Sequence, residues 1–102
     1  MNMYIVLHTF KKTPQEFAEA FTDERMTEFA RAMAAGQAPA KCTKTWDPTS
    51  HGREDYMFCL WESENPKNVE AALDGFGLLE YLTADIMQVD ETDWEQVARA
   101  AG

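Results

Sequence analysis

Positive charge is scarce in this chain: 9 Lys and Arg stand against 18 Asp and Glu in 102 residues, a formal net charge of −9. A phosphate backbone or an anionic bilayer needs a cationic footprint, so neither nucleic acid nor membrane is an expected partner. The deficit is uneven. Residues 1–53 carry 7 basic and 6 acidic side chains, net +1, whereas residues 54–102 carry 2 and 12, net −10. Long apolar runs are also missing. The opening MNMYIVLHTF is too short to span a bilayer and lacks the basic lead and small-residue cleavage site of a signal peptide, which predicts a cytoplasmic protein.

Other shortages exclude whole chemistries. Two cysteines, Cys42 and Cys59, are too few for a disulfide scaffold and lack metal-knuckle spacing, so they are expected as reduced, buried thiols. The glycines stand apart at 36, 52, 75, 77 and 102, and without a glycine-rich loop a nucleotide site is not expected. Ser50 and Ser63 are the only serines, and neither occupies a nucleophile elbow.

What is present is a core. Hydrophobic residues make up 45% of the chain and aromatics 12%, against 26% charged, a balance that predicts one folded domain over residues 1–102 rather than disorder. A chain of this length buries roughly 65% of its unfolded surface without metal or disulfide staples. Met3 to Phe10 forms an apolar strand interrupted by one polar group, His8. Thr13-Pro14-Gln15-Glu16 is a capping box opening a helix whose Phe17, Phe21, Phe29 and Met33 share a stripe; Gly36 ends it, and Thr22-Asp23 allows a kink near residue 22. Ala40 to Trp46 alternates as an edge strand. A turn-rich loop, Asp47 to Arg53, then leads to the wholly apolar strand Tyr56 to Trp61. Asn65-Pro66 starts a second helix that stops at Gly75, and a short turn or helix covers Phe76 to Leu82. Ala84 to Val89 is a fourth strand, and Thr92-Asp93-Trp94-Glu95 caps a short terminal helix over 93–101.

The order β-α-β-β-α-β predicts an α+β, ferredoxin-like fold: a four-stranded antiparallel sheet with both helices on one face. The other face then lacks a cover although its strands stay apolar. The simplest cover is the same face of a second copy, which predicts a homodimer.

The TWDP turn, the FCLWESENP strand-to-helix junction, the LLEYLTADIMQV approach to the last strand and the acidic tail resemble small uncharacterised families of the dimeric α/β-barrel superfamily. The likeness runs over residues 40–92 in motif and the whole chain in element order. That superfamily also holds antibiotic-biosynthesis monooxygenases, haem-degrading enzymes, muconolactone isomerases, stress-responsive barrel proteins and a nickel-binding type. The resemblance implies a dimeric barrel, but one fold hosts many chemistries. Haem-degrading members carry a histidine in or near the second helix; residues 65–83 contain none, so haem is not expected. For a cofactor-free oxygenase of the antibiotic-biosynthesis type, Trp61, Asn65 and Tyr56 are the matching residues.

Two histidines are candidates for chemistry. His8, inside an apolar strand, is either a ligand or proton carrier in a cavity between sheet and helices, or a core residue bonded to a neighbouring carbonyl or hydroxyl. His51 lies in the loop beside Asp47, Glu54 and Asp55, and imidazole plus carboxylate suits a divalent metal, with His8, His51 and Asp55 as candidate ligands. The hairpin, paired so that partner numbers sum to about 101, sets Cys42 opposite Cys59 with Trp46, Met57 and Trp61 on their face. His8, Tyr56, Trp61 and Trp46 are then candidates for a pocket that takes a flat apolar ligand. Three functions remain open. One is a small dimeric barrel, stress-related or accessory, that binds a divalent metal ion or small apolar metabolite. The alternative is a cofactor-independent monooxygenase or isomerase acting on an aromatic or polyketide-like substrate. The third is partner binding through the acidic half.

Overall fold

Short polar caps decide where the helices begin. The Glu16 amide donates to Thr13 Oγ1 at 3.1 Å ahead of α1 (Pro14–Ala20), and the Arg25 amide to Thr22 Oγ1 at 3.3 Å ahead of α2 (Asp23–Ala34). Each hydroxyl satisfies an amide that has no partner inside its helix. The long apolar stripe is therefore carried by two helices broken at Phe21 and Thr22 rather than by one with a kink. Gly36, at φ 67°, turns the chain out of α2. Asn65 Oδ1 accepts the Asn68 amide at 2.9 Å to start α3 (Pro66–Gly75). Before α4 (Trp94–Ala100) the cap is Asp93, bonded to the Glu95 and Gln96 amides, and not Thr92, because a carboxylate one residue nearer the helix reaches both.

The computed structural model describes residues 1–102. Four strands, β1 (Asn2–His8), β2 (Lys41–Trp46), β3 (Met57–Ser63) and β4 (Asp85–Val89), form one antiparallel sheet in the order β2-β3-β1-β4. With its four helices the chain is an α+β protein compatible with a ferredoxin-like fold. No helix is long and apolar enough to cross a membrane. Observed strands depart from the expected ones by one to two residues at their ends, except that Phe10 lies beyond β1 and makes only an isolated bridge to Leu82.

Side chains alternate across the central pair. Tyr4, Val6 and His8 of β1 sit opposite Trp61, Cys59 and Met57 of β3, and all six are buried. Val69, Ala72 and Leu73 of α3 close over them, and Phe29 of α2 meets Trp61 edge-on at 6.2 Å. The intervening residues, Ile5 and Leu7 with Phe58 and Leu60, form the opposite face and are half-buried, with no helix over them. Within this chain β1 and β3 are covered by helices on one face only, as the element order implies.

The hairpin register differs from the expected one. Cys42 pairs with Trp61, a bulge at Thr43 follows, and Lys44, Thr45 and Trp46 pair with Leu60, Cys59 and Phe58. An inserted residue shifts all later side chains by one place. Thr45 therefore opposes Cys59, and Trp46 joins Phe58 on the helix-free face, 47% exposed.

Because Trp61 is fully enclosed while Trp94 is 74% exposed, Trp61→Ala is expected to cost about 3–5 kcal/mol in urea denaturation and Trp94→Ala under about 0.5 kcal/mol. Equal costs would contradict this placement of the core.

Candidate functional site

Between the sheet and the helices lies a cavity of about 230 Å³. Its walls come from every layer: Phe17 and Phe21 bracket the end of α1, Met26 and Phe29 belong to α2, Leu73 to α3, and Cys42, Met57 and Cys59 to the sheet. The lining is mostly apolar because each of these elements turns its hydrophobic side inward. Larger depressions of about 530 Å³ run along α2 and the outer edge of β2, but they are open grooves without a buried polar group.

His8 is the buried polar side chain of this cavity, at 1% exposure. Its Nδ1 lies 2.8 Å from the Thr83 carbonyl oxygen. A carbonyl can only accept, so Nδ1 carries the proton. Nε2 is buried and has no hydrogen-bond partner in the protein. The Thr83 carbonyl is itself held in place. Thr83 Oγ1 lies 2.7 Å from Thr9 Oγ1 and accepts the Thr9 amide at 2.9 Å, while the Thr83 amide donates to the Thr9 carbonyl at 2.9 Å. This double link ties the end of β1 to the approach to β4 and sets the plane of the imidazole. Burial pushes the His8 pKa below its usual 6.5, partly opposed by the Thr83 hydrogen bond. At neutral pH the ring is uncharged and presents one bare lone pair.

The thiols occupy the β2 side of the same cavity. Cys59 Sγ is 3.3 Å and Cys42 Sγ 3.9 Å from Thr45 Oγ1, and both cysteines are free. The neighbouring Cys59 thiol holds Cys42 below the ordinary thiol range, and the same contact together with burial pushes Cys59 up. They are not opposed across the ladder, as the expected register had them. They are diagonal neighbours, because Cys42 faces Trp61 and Thr45 faces Cys59.

The four expected pocket residues divide. His8 lines the cavity; Trp61 lies behind its wall, wholly buried, with an unpartnered indole N–H. Trp46 pairs with Phe58 on the other face of the sheet. Tyr56 sits 6.3 Å from Phe58, under the Arg53 guanidinium. The bulge moved Trp46, and Tyr56 follows the period of Phe58 rather than that of Met57. Asn65 is occupied in capping α3, so Trp61, Asn65 and Tyr56 do not converge on one substrate.

The expected metal residues also lie apart in character. His51 is exposed in a single 3-10 turn, Thr49–His51, and Asp55 is clamped by Arg53 through contacts of 3.1 and 3.0 Å, which lower the Asp55 pKa. No three His, Cys, Asp or Glu side chains are grouped so as to hold a metal ion. Asp47, expected beside His51 as a loop residue, instead reaches the cavity rim, its Oδ1 engaged by the Thr49 amide and hydroxyl at 3.0 and 2.7 Å. Phe17, Phe21 and Phe29 were visible in the sequence as a stripe; nothing local marked them as cavity walls rather than filled core. No family profile, no curated protein and no solved structure matches the chain.

The depressed pKa of His8 has a pH consequence. The unfolded chain protonates this imidazole near 6.5 and the folded chain only at lower pH, so the unfolded state binds more protons in that window. Stability is intact above about pH 6.5 and falls as acid is added. Denaturation series between about pH 7 and 5 should show a steeper loss in the native protein than in His8→Phe. Parallel curves would mean that His8 is not buried as a neutral ring.

Proposed function

We propose that the protein is a dimeric α/β-barrel binding protein for a small apolar metabolite, held in the cavity over His8. The observation that carries this reading is the pairing of an apolar, partly enclosed space of about 230 Å³ with a buried imidazole whose Nε2 has no partner. A histidine kept only for packing would use both nitrogens or be replaced by Leu or Phe, because an unsatisfied buried nitrogen costs about 1–3 kcal/mol. The apolar metabolite is favoured over a divalent ion because His8 is enclosed while His51 and Asp55 are exposed and Asp55 is already paired. A second reading, a cofactor-independent monooxygenase or isomerase, is supported by the same neutral imidazole. Held by the Thr83 carbonyl through Nδ1, a neutral imidazole with an unpartnered Nε2 at the wall of an apolar cavity has the form of a general base.

The dimer rests on the helix-free sheet face. Rows of Ile5, Leu7, Phe58 and Leu60 run across its centre, with Trp46 and Met87 at 47% and 40% exposure toward its edges. A contiguous apolar surface of this kind is rare on a monomer, and two such faces are self-complementary about a two-fold axis.

Two measurements test these statements. Sedimentation at low micromolar concentration is expected to give twice the 11.6 kDa chain mass; a monomer that never associates would sink the barrel. Titration with naphthalene is expected to shift the methyl resonances of Leu73, Leu78 and Leu82, which line the cavity. Unmoved methyls at ligand saturation would remove the binding reading.

A further inference from the structure

Which molecule the cavity accepts is constrained by what its walls can and cannot offer. Resting on the binding function proposed above, we infer that the ligand is a small, neutral, flat aromatic molecule carrying one hydroxyl, a phenol or naphthol, whose O–H donates to His8 Nε2.

Three observations carry this. The first is the tautomer. With Nδ1–H committed to Thr83 at 2.8 Å, the imidazole has an acceptor to offer and no donor, so a ketone, ether or ester oxygen has nothing to bind there. The second is charge. No Lys, Arg or protonated imidazole lines the cavity, and its one ionised side chain is Asp47, at the rim. A carboxylate or phosphate would meet a bare lone pair and a like charge, and burying an unpaired anion is costly. Of the remaining polar walls, Thr45 Oγ1 lies beside Cys59, and Asp47 is solvent-exposed with its Oδ1 held by Thr49, which leaves His8 Nε2 as the one buried acceptor without a partner. The third is shape. Phe17 and Phe21 stack at 5.0 Å with 19° between their planes, and Phe29, packed edge-on against Trp61 and Phe76, adds a further aromatic wall. Aromatic rings receive another flat ring well in offset or edge-on contact, and the Met26 and Met57 thioethers adapt to its outline. At about 230 Å³ the space falls below the roughly 300–1,000 Å³ of drug-sized sites, which limits the ligand to one ring or two fused rings. A phenolic O–H satisfies the orphan nitrogen, brings no net charge and keeps every other atom apolar.

The test compares 2-naphthol, 2-methoxynaphthalene and 2-naphthoate by equilibrium dialysis against the full-length protein at neutral pH. The methyl ether keeps the ring system and removes the donor; the carboxylate keeps the ring and adds an anion. Naphthol is expected to bind about 10- to 100-fold tighter than its ether, the range set by leaving one buried acceptor unsatisfied, and naphthoate to bind more weakly than either. In His8→Phe the preference for naphthol over the ether should vanish while the ether still binds. Equal affinity of naphthol and ether in the native protein would overturn the hydrogen bond and leave the apolar cavity standing, whereas failure of all three to bind would overturn both. A naphthol preference that survives in His8→Phe would also overturn the assignment, since the acceptor would then lie elsewhere. If His8→Phe does not fold, ¹⁵N spectra of histidine-labelled native protein decide the matter. The Nε2 resonance of His8 should move upfield with naphthol and stay in place with the ether; an unmoved resonance with naphthol bound would refute the contact.

Discussion

The central pair of strands must divide its side chains between two faces, and the chain has helices for only one of them. β1 and β3 alternate in register, so each apolar residue turned toward the helices is followed by one turned away. Tyr4, Val6, Cys59 and Trp61 take the covered side and are closed over by α2 and α3. Ile5, Leu7, Phe58 and Leu60 take the other. This division places the cavity, because the inward row ends at His8 and Met57, which line it together with Phe17 of α1 and Leu73 of α3. It also creates the half-covered face on which the proposed second copy depends. Burying the inward row at about 25 cal/mol per Å² of apolar surface is the main source of stability in a domain of this size.

Local signals in the sequence were legible and long-range ones were not. Thr13, Thr22 and Asn65 cap their helices because a cap needs only a side-chain oxygen and an amide two or three residues on. β1, β3 and β4 were legible from their apolar residues, β2 from its alternation, and the element order from the turns between them. The hairpin register was not, because a bulge leaves no compositional mark when the extra residue, Thr43, is as good a strand former as its neighbours. The extra residue moves Trp46 to the other face, while Cys42 meets Trp61 instead of Cys59 through a separate two-residue difference in register that precedes the bulge and keeps both cysteines on one face. His8 stood out as a polar break in an apolar strand. Its partner did not, since the Thr83 carbonyl lies 75 residues away and any residue can supply a carbonyl.

The His8 site shows how a main-chain group can decide the chemistry of a side chain. A carboxylate in the place of the Thr83 carbonyl would stabilise the imidazolium and raise its pKa; a carbonyl in a dry setting orients the ring without charging it. The Thr9 and Thr83 hydroxyls, bonded to each other at 2.7 Å, keep that carbonyl from turning away. Nε2 is therefore free of protons for a reason that begins in backbone geometry.

The bulge at Thr43 also shapes the open border of the sheet. β2 is an edge strand, and its outward amides and carbonyls are open to pairing with any other extended segment. The extra residue breaks the straight run of that edge, and Lys41 and Lys44, flanking the break, bring two ammonium groups to the place where a foreign strand would have to lie. Growth by strand addition, the route to fibrils, is obstructed along this border.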